Sequence, residues 1–146
     1  MIADDPTSML DATVKASFID LMLKLKKEFN VTYFFITHEL SVARHICDRI
    51  AVMYLGKIVE TSSTSKIISD PTHPYTRALL SAVPILDPTL KRERVKVPGE
   101  PPNPINPPEG CRFHPRCPDC QDMCRKVEPQ LQEIEKDHFV SCYFPQ

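Results

Sequence analysis

Glycine is scarce in this chain: only Gly56, Gly99 and Gly110 occur in 146 residues. None lies in a G-x-x-x-x-G-K-[S/T] run. The backbone nest and lysine that cradle nucleotide phosphates are therefore missing from these residues. Excess charge of either sign is missing too. Eighteen Lys and Arg stand against nineteen Asp and Glu, for a formal net charge of −1. That balance excludes the bulk attraction a nucleic-acid partner or an anionic bilayer would call for. No apolar run approaches the ~20 residues of a membrane-crossing helix, and the opening residues do not read as a signal peptide.

What is present is 42% apolar residues, enough to bury a core of ordinary size. The length suits one domain or a domain with an appendage. Two composition biases sit in the second half. Eight of the fifteen prolines fall between Pro84 and Pro108, so that stretch is expected to be extended, with polyproline character. Five of the six cysteines fall between Cys111 and Cys142. In a cytosolic chain such a cluster points to a metal or cluster site, and in a secreted one to disulfides.

Periodicity supplies the elements. Val14, Phe18, Leu21, Met22, Leu25 and Phe29 recur at helical spacing, with Thr13 or Asp11 to cap the start and Asn30 at the end. Residues 31–36, VTYFFI, are β-branched and aromatic and predict a buried strand of a parallel sheet. A helix is expected around Leu40, Val42, Ala43, Ile46 and Cys47. Residues 49–55 and 58–61 predict a hairpin about Gly56-Lys57. Short helices follow at Thr64–Ser69 and Tyr75–Val83. The order α-β-α-β-β fits the second half of a nucleotide-binding α/β domain. Residues 110–142 carry little apolar material, so a metal or cluster is expected to hold them together.

Two stretches carry chemistry. Residues 2–13, IADDPTSMLDAT, place adjacent acids Asp4 and Asp5 after an apolar residue, then a Pro-Thr-Ser turn and Asp11. At a nucleotide site one such acid holds Mg²⁺ while its neighbour orients water. His38, in I-T-H-E-L, closes the predicted strand and lies 34 residues after Asp4. An imidazole at the C-terminal end of a parallel strand faces the crevice where α/β sheets bind ligands. By spacing alone, Cys117-x-x-Cys120 joined by Cys111, Cys124 or Cys142 suggests tetrahedral zinc. Four thiolates about an iron–sulfur cluster are the alternative.

The first stretch closely resembles the Walker B motif and D-loop of ABC-transporter ATPases, and His38 follows it as their switch histidine does. The hairpin matches that family as well, with an architectural role in completing the sheet. Residues 70–80, DPTHPYTRALL, then Gly99-Glu100-Pro101-Pro102-Asn103 and 110–117, GCRFHPRC, resemble the tail of oligopeptide and dipeptide importer ATPases. The resemblance covers essentially the whole chain. It implies an α/β fold: the C-terminal half of an ABC-type nucleotide-binding domain with an irregular Cys-rich extension. Residues 1–69 are then the ATPase core and 70–146 the extension, with a Pro-rich linker at 84–108 and a Cys-rich module at 110–142. The family's phosphate loop and Ser-Gly-Gly signature are absent, so the expectation is the C-terminal portion of a longer ATPase, inactive by itself.

The resemblance also implies roles. ATP and Mg²⁺ are the cofactors of the intact subunit. Asp4 holds Mg²⁺, Asp5 positions water, His38 contacts the γ-phosphate and Asp11 communicates across a dimer. The implied partners are a second ATP-binding subunit, membrane permease subunits and, indirectly, a peptide-binding protein, with no nucleic acid. The implied location is cytoplasmic, peripheral on the inner face of the membrane. The family tail carries Cys-x5-Cys-x6-Cys and a distant fourth Cys, and some members bind a [4Fe–4S] cluster there. That pattern maps onto Cys111, Cys117, Cys124 and Cys142, with zinc as the alternative. Cys120 departs from the pattern, as does Asp5, where the family has Glu. A carboxylate one methylene shorter is withdrawn by about 1 Å, and misplacement of that size costs on the order of 10²-fold in rate. The rival readings are a degenerate, non-catalytic subunit or a metal-binding scaffold.

Overall fold

The computed structural model describes residues 1–83 and 95–146. They form two compact units, Met1–Asp48 and Arg49–Gln146. No helix among the described residues is long and apolar enough to cross a membrane. The mixed α/β composition is that expected for a C-terminal part of an ABC-type ATPase.

The first unit runs β1 (Ile2–Asp4), α1 (Ala12–Phe29), β2 (Phe34–Ile36) and α2 (Leu40–Ile46). Helix α1 starts where the sequence offers a cap. The Asp11 carboxylate accepts the Thr13 and Val14 N–H groups, each at 3.0 Å, satisfying two donors that have no partner inside the helix. It ends at Asn30, whose φ of 52° is the left-handed conformation that Asn tolerates well. Met22 of α1 and Val42 and Ile46 of α2 form the buried centre, with Phe18, Tyr33 and Phe35 packed against it.

Strands β1 and β2 pair in parallel, Ile2 opposite Phe34 and Asp4 opposite Ile36. The expected buried strand over 31–36 is shorter and more open than its composition suggests. Only 34–36 pair, and Phe34 and Ile36 are 66% and 44% exposed while Phe35 turns to the core. Continuous burial needs layers on both faces of a sheet. A two-stranded ribbon packed on one side by helices alternates instead.

The second unit contains β3 (Arg49–Tyr54), β4 (Lys57–Ser63), α3 (Thr64–Ser69), α4 (Pro74–Ala82), a 3₁₀ turn (His114–Arg116), α5 (Asp122–Lys126), β5 (Gln132–Glu135) and β6 (His138–Val140). The β3–β4 hairpin turns at Leu55-Gly56, both with positive φ (45° and 77°), the backbone a two-residue hairpin loop demands. The Arg112 guanidinium donates to the Leu55 carbonyl. Inward Ile50, Val52 and Tyr54 alternate with exposed neighbours along β3.

The hairpin does not complete the parallel pair. It belongs to a separate antiparallel sheet of order β3-β4-β6-β5. The edge of β4 is taken by the tail: Glu60 pairs with Val140 and Thr61 with Phe139. The end of the Cys-rich segment is therefore paired into this sheet. Phe113 is 1% exposed, with its ring centroid 5.2 Å from Tyr54 and 5.4 Å from Tyr75. Edge and tilted aromatic contacts of this kind add to the burial they accompany. Gly110, at φ 70°, lets the chain pass against α5. A Cβ there would lie 2.4 Å from the Cys124 carbonyl oxygen, and the neighbouring Cys111 N–H donates to that same oxygen at 2.8 Å. Of the Pro-rich stretch expected at 84–108, residues 84–94 lie outside the described ones, and 95–108 carry no helix or strand.

Phe113 is the apolar peg joining the Cys-rich segment to β3 and α4. Phe113→Ala should lower the unfolding free energy by about 3–5 kcal/mol, the usual range for emptying a buried aromatic site. Urea unfolding followed by circular dichroism measures it. A loss below about 1 kcal/mol would show that the ring is not what seats the segment.

Candidate functional site

The acid pair straddles the end of β1. The Asp5 N–H donates to the Ile36 carbonyl at 2.8 Å, extending the parallel pairing by one residue. That bond holds Asp5 beside the turn leaving β2. Its φ is 42°, a region a non-glycine residue occupies at a cost and more often at functional positions. The turn is braced twice. The Glu39 N–H donates to Thr37 Oγ1 at 3.0 Å, and the Glu39 carboxylate takes the Lys15 ammonium at 2.6 and 2.7 Å. Between these braces His38 Nδ1 lies 3.0 Å from Asp5 Oδ2. The His38 ring is 70% exposed and the Asp5 side chain 34%. Asp5 Oδ1 is buried with no hydrogen-bond partner among the described residues.

Of the residues singled out in this first unit, the fold brings Asp5 and His38 together. Asp4 ends β1 and is exposed. Asp11 caps α1. An ionised Asp5 accepts from Nδ1–H, so Nδ1 carries a proton in this pair. Nε2 is then free to face solvent or a ligand.

In the second unit, Cys111, Cys117, Cys124 and Cys142 all line one cavity, shared with His73, His114 and Phe113. Cys120 does not line it; its Sγ lies 3.7 Å from the Gln121 carbonyl. None of the six cysteines forms a disulfide. Burial is the main cause that pushes the Cys117 thiol up to about 12 and the Cys142 thiol up to about 11, with negative neighbours adding to it. Cys111 is raised for the same reason. Thiols so placed stay neutral unless a cation joins them. Among the described residues, no three His, Cys, Asp or Glu side chains stand where one metal ion could be held.

Sequence reading missed the group that supports this cavity. Glu60 of β4 is 0% exposed. Its Oε1 accepts the Thr72 N–H at 2.9 Å and its Oε2 the His73 N–H at 3.0 Å. His138 Nε2 of β6 lies 2.9 Å from Oε1. The only sequence signal was an acid within the second strand of the predicted hairpin, since His138 is 78 residues away. His73 caps the next helix: its Nδ1 accepts the Tyr75 N–H at 3.0 Å, starting α4. Burial holds its imidazolium down to about 4.

Comparison with known proteins agrees with the architecture. Residues 59–124 match the family model for the oligopeptide/dipeptide transporter, C-terminal region. The chain is 49% identical over 145 residues to the oligopeptide transport ATP-binding protein AppF of Bacillus subtilis, covering 98% of this chain and 44% of that protein. It is 48% identical over 143 residues to the dipeptide transport ATP-binding protein DppF of Haemophilus influenzae, again covering 98% and 44%. A putative peptide import ATP-binding protein of Brucella ovis is 44% identical over 142 residues, covering 97% and 45%. By sequence, then, the chain belongs with the ATP-binding proteins of oligopeptide and dipeptide ABC transporters and corresponds to their C-terminal portion. It spans less than half the length of these relatives.

His73 gives the second unit an acid limit. The unfolded chain takes up a proton at this ring near pH 6.5, whereas the folded ring resists until about pH 4. Its contribution is complete above pH 6.5, declines as pH falls, and is gone below about 4. From 6.5 to 4 the loss should be on the order of 3 kcal/mol. His73→Asn, which retains an N-cap acceptor, should flatten this slope. Denaturant unfolding of both proteins at intervals of pH checks it, and parallel slopes would contradict it.

Proposed function

We propose that the chain is the part of an ATP-binding subunit that completes the hydrolytic half of the nucleotide site. In the intact subunit it serves ATP-driven import of di- or oligopeptides. The observation carrying this reading is the Asp5–His38 pair, seated where parallel strands β1 and β2 end. That is the edge at which open α/β sheets bind nucleotides. Asp4, at the end of β1, is the Mg²⁺ ligand. Asp5 orients the attacking water, and its partnerless buried Oδ1 is the oxygen available to accept from it.

His38 reaches the γ-phosphate through Nε2. Because Nδ1 is engaged by Asp5, Nε2 is the ring nitrogen left to meet the phosphate. Asp11 adds contact across a dimer while capping α1. The names of the relatives, each an ATP-binding protein of peptide transport, support ATP and Mg²⁺ as cofactors. Permease subunits and a second ATP-binding subunit as partners, and a place at the inner face of the membrane, follow from the family reading and not from those names. The division into an ATPase part, 1–69, and a tail, 70–146, follows the same reading. Without a phosphate loop among these residues, the chain alone should not turn over ATP.

Joined to an N-terminal half bearing the phosphate loop, the protein should hydrolyse ATP with Mg²⁺. Asp5→Glu should raise kcat, on the order of 10²-fold at most, and His38→Ala should abolish hydrolysis. An unchanged or lower kcat in the Asp5→Glu protein would assign the water to another group.

The tail is read as a [4Fe–4S] site held by Cys111, Cys117, Cys124 and Cys142. The donor set fits: four thiols face one cavity. Zinc fits less well. Zn–S bonds of ~2.3 Å require four sulfurs packed about one point, and no three donors are so placed. A polynuclear group spreads its thiolates over several irons. Bound there, it cross-links residues distant in sequence and supplies one-electron redox chemistry. Anaerobically purified protein should be brown. Cys124→Ser should remove the colour and Cys120→Ser should leave it. Colourless anaerobic protein with stoichiometric zinc would overturn the cluster and promote the Cys117–Cys120 pair.

A further inference from the structure

We propose that His73 donates a hydrogen bond from its Nε2–H to a sulfur of the iron–thiolate group held in the four-thiol cavity, and thereby raises that group's reduction potential. The inference rests on the cluster reading above and adds a residue outside the cysteine set.

The tautomer is fixed by geometry. His73 Nδ1 lies 3.0 Å from the Tyr75 backbone nitrogen. A backbone N–H only donates, so Nδ1 accepts, and the ring proton of the neutral imidazole must be on Nε2. The ring is 1% exposed and lines the same cavity as the four thiols. It is held from three directions. Its backbone N–H is bound to Glu60 Oε2 at 3.0 Å, its Nδ1 is committed to α4, and its ring centroid lies 5.9 Å from that of Phe113. No acceptor for Nε2–H occurs among the described hydrogen bonds of this ring.

His114, the other imidazole of the cavity, is wired the opposite way. Its Nδ1 faces the Cys111 carbonyl at 3.0 Å and so donates. When neutral, its Nε2 is a lone pair and cannot serve as a donor. The cavity thus has one histidine oriented to donate and one oriented to accept.

The consequence is electrostatic. One-electron reduction by dithionite adds a negative charge to the site and breaks no bond in the protein. A fixed N–H dipole aimed at sulfur stabilises the added charge, and hydrogen bonds to cluster sulfurs are a known lever on potential. Because His73 also caps α4, a plain deletion would confuse packing with tuning. Two substitutions separate them. Asn places an acceptor near Nδ1 and no donor near Nε2, whereas Gln places an N–H near Nε2 and no cap acceptor.

The test uses the whole chain, purified anaerobically, assayed for iron and sulfide, and titrated with dithionite and redox mediators. His73→Asn should retain the cluster and shift its midpoint potential downward. His73→Gln should unfold more easily yet keep the wild-type potential. An unchanged potential in His73→Asn, or equal downward shifts in both, overturns the hydrogen bond and leaves the cluster reading standing. Wild-type protein without iron and sulfide overturns the cluster reading and this inference with it. Should His73→Asn lose its iron, pulsed EPR of reduced wild-type protein labelled with ¹⁵N-histidine decides. A histidine nitrogen coupling is expected, and none overturns the proposal.

Discussion

The second unit depends on one buried carboxylate. Glu60 is withdrawn from solvent on β4, and a buried carboxyl group is tolerated only if its oxygens are engaged. They are engaged by three groups from two separate parts of the chain: the Thr72 and His73 N–H groups before α4, and His138 of β6. Satisfying Glu60 therefore brings the tail strand to the edge of β4 and sets the start of α4. From α4 follow the position of His73 and one wall of the thiol cavity. Aromatic packing of Phe113 against Tyr54 and Tyr75 closes the other side. The cysteines are thus brought together by contacts that do not involve sulfur.

The first unit works by a different constraint. Parallel pairing of β1 with β2 is extended by the Asp5 N–H, and the turn after β2 is braced by Thr37, Glu39 and Lys15. These bonds hold Asp5 against His38 with no help from the side chains of the pair. A carboxylate in a left-handed backbone conformation, with one oxygen spoken for and one buried and unengaged, is arranged for an incoming ligand or water. The similarity to peptide-transport ATP-binding proteins spans both units.

Local signals in the sequence were dependable. Asp11 and Asn30 bound α1 as capping chemistry requires. The alternation of Ile50, Val52 and Tyr54 gave β3, and Gly56 gave the turn. The acid pair and His38 were legible through motif and spacing. What failed was non-local. Nothing in the hairpin sequence reveals that β6 covers its edge, because that pairing is decided by His138, 78 residues from Glu60. The strand at 31–36 looked fully buried because composition cannot report how many layers will cover it. Spacing alone made Cys120 the obvious partner of Cys117, with Cys111, Cys124 or Cys142 joining them. The fold separates Cys120 from Cys124 by turning the Cys120 sulfur toward the Gln121 carbonyl and burying Cys124.

The central proposal is that the four thiols lining one cavity, Cys120 not among them, hold one polynuclear iron site. X-ray absorption at the iron and zinc edges of anaerobically purified protein addresses it most directly. The account predicts iron in an all-sulfur shell with a resolved iron–iron path, unchanged by Cys120→Ser. A zinc edge with a single sulfur shell, and no iron, would contradict it.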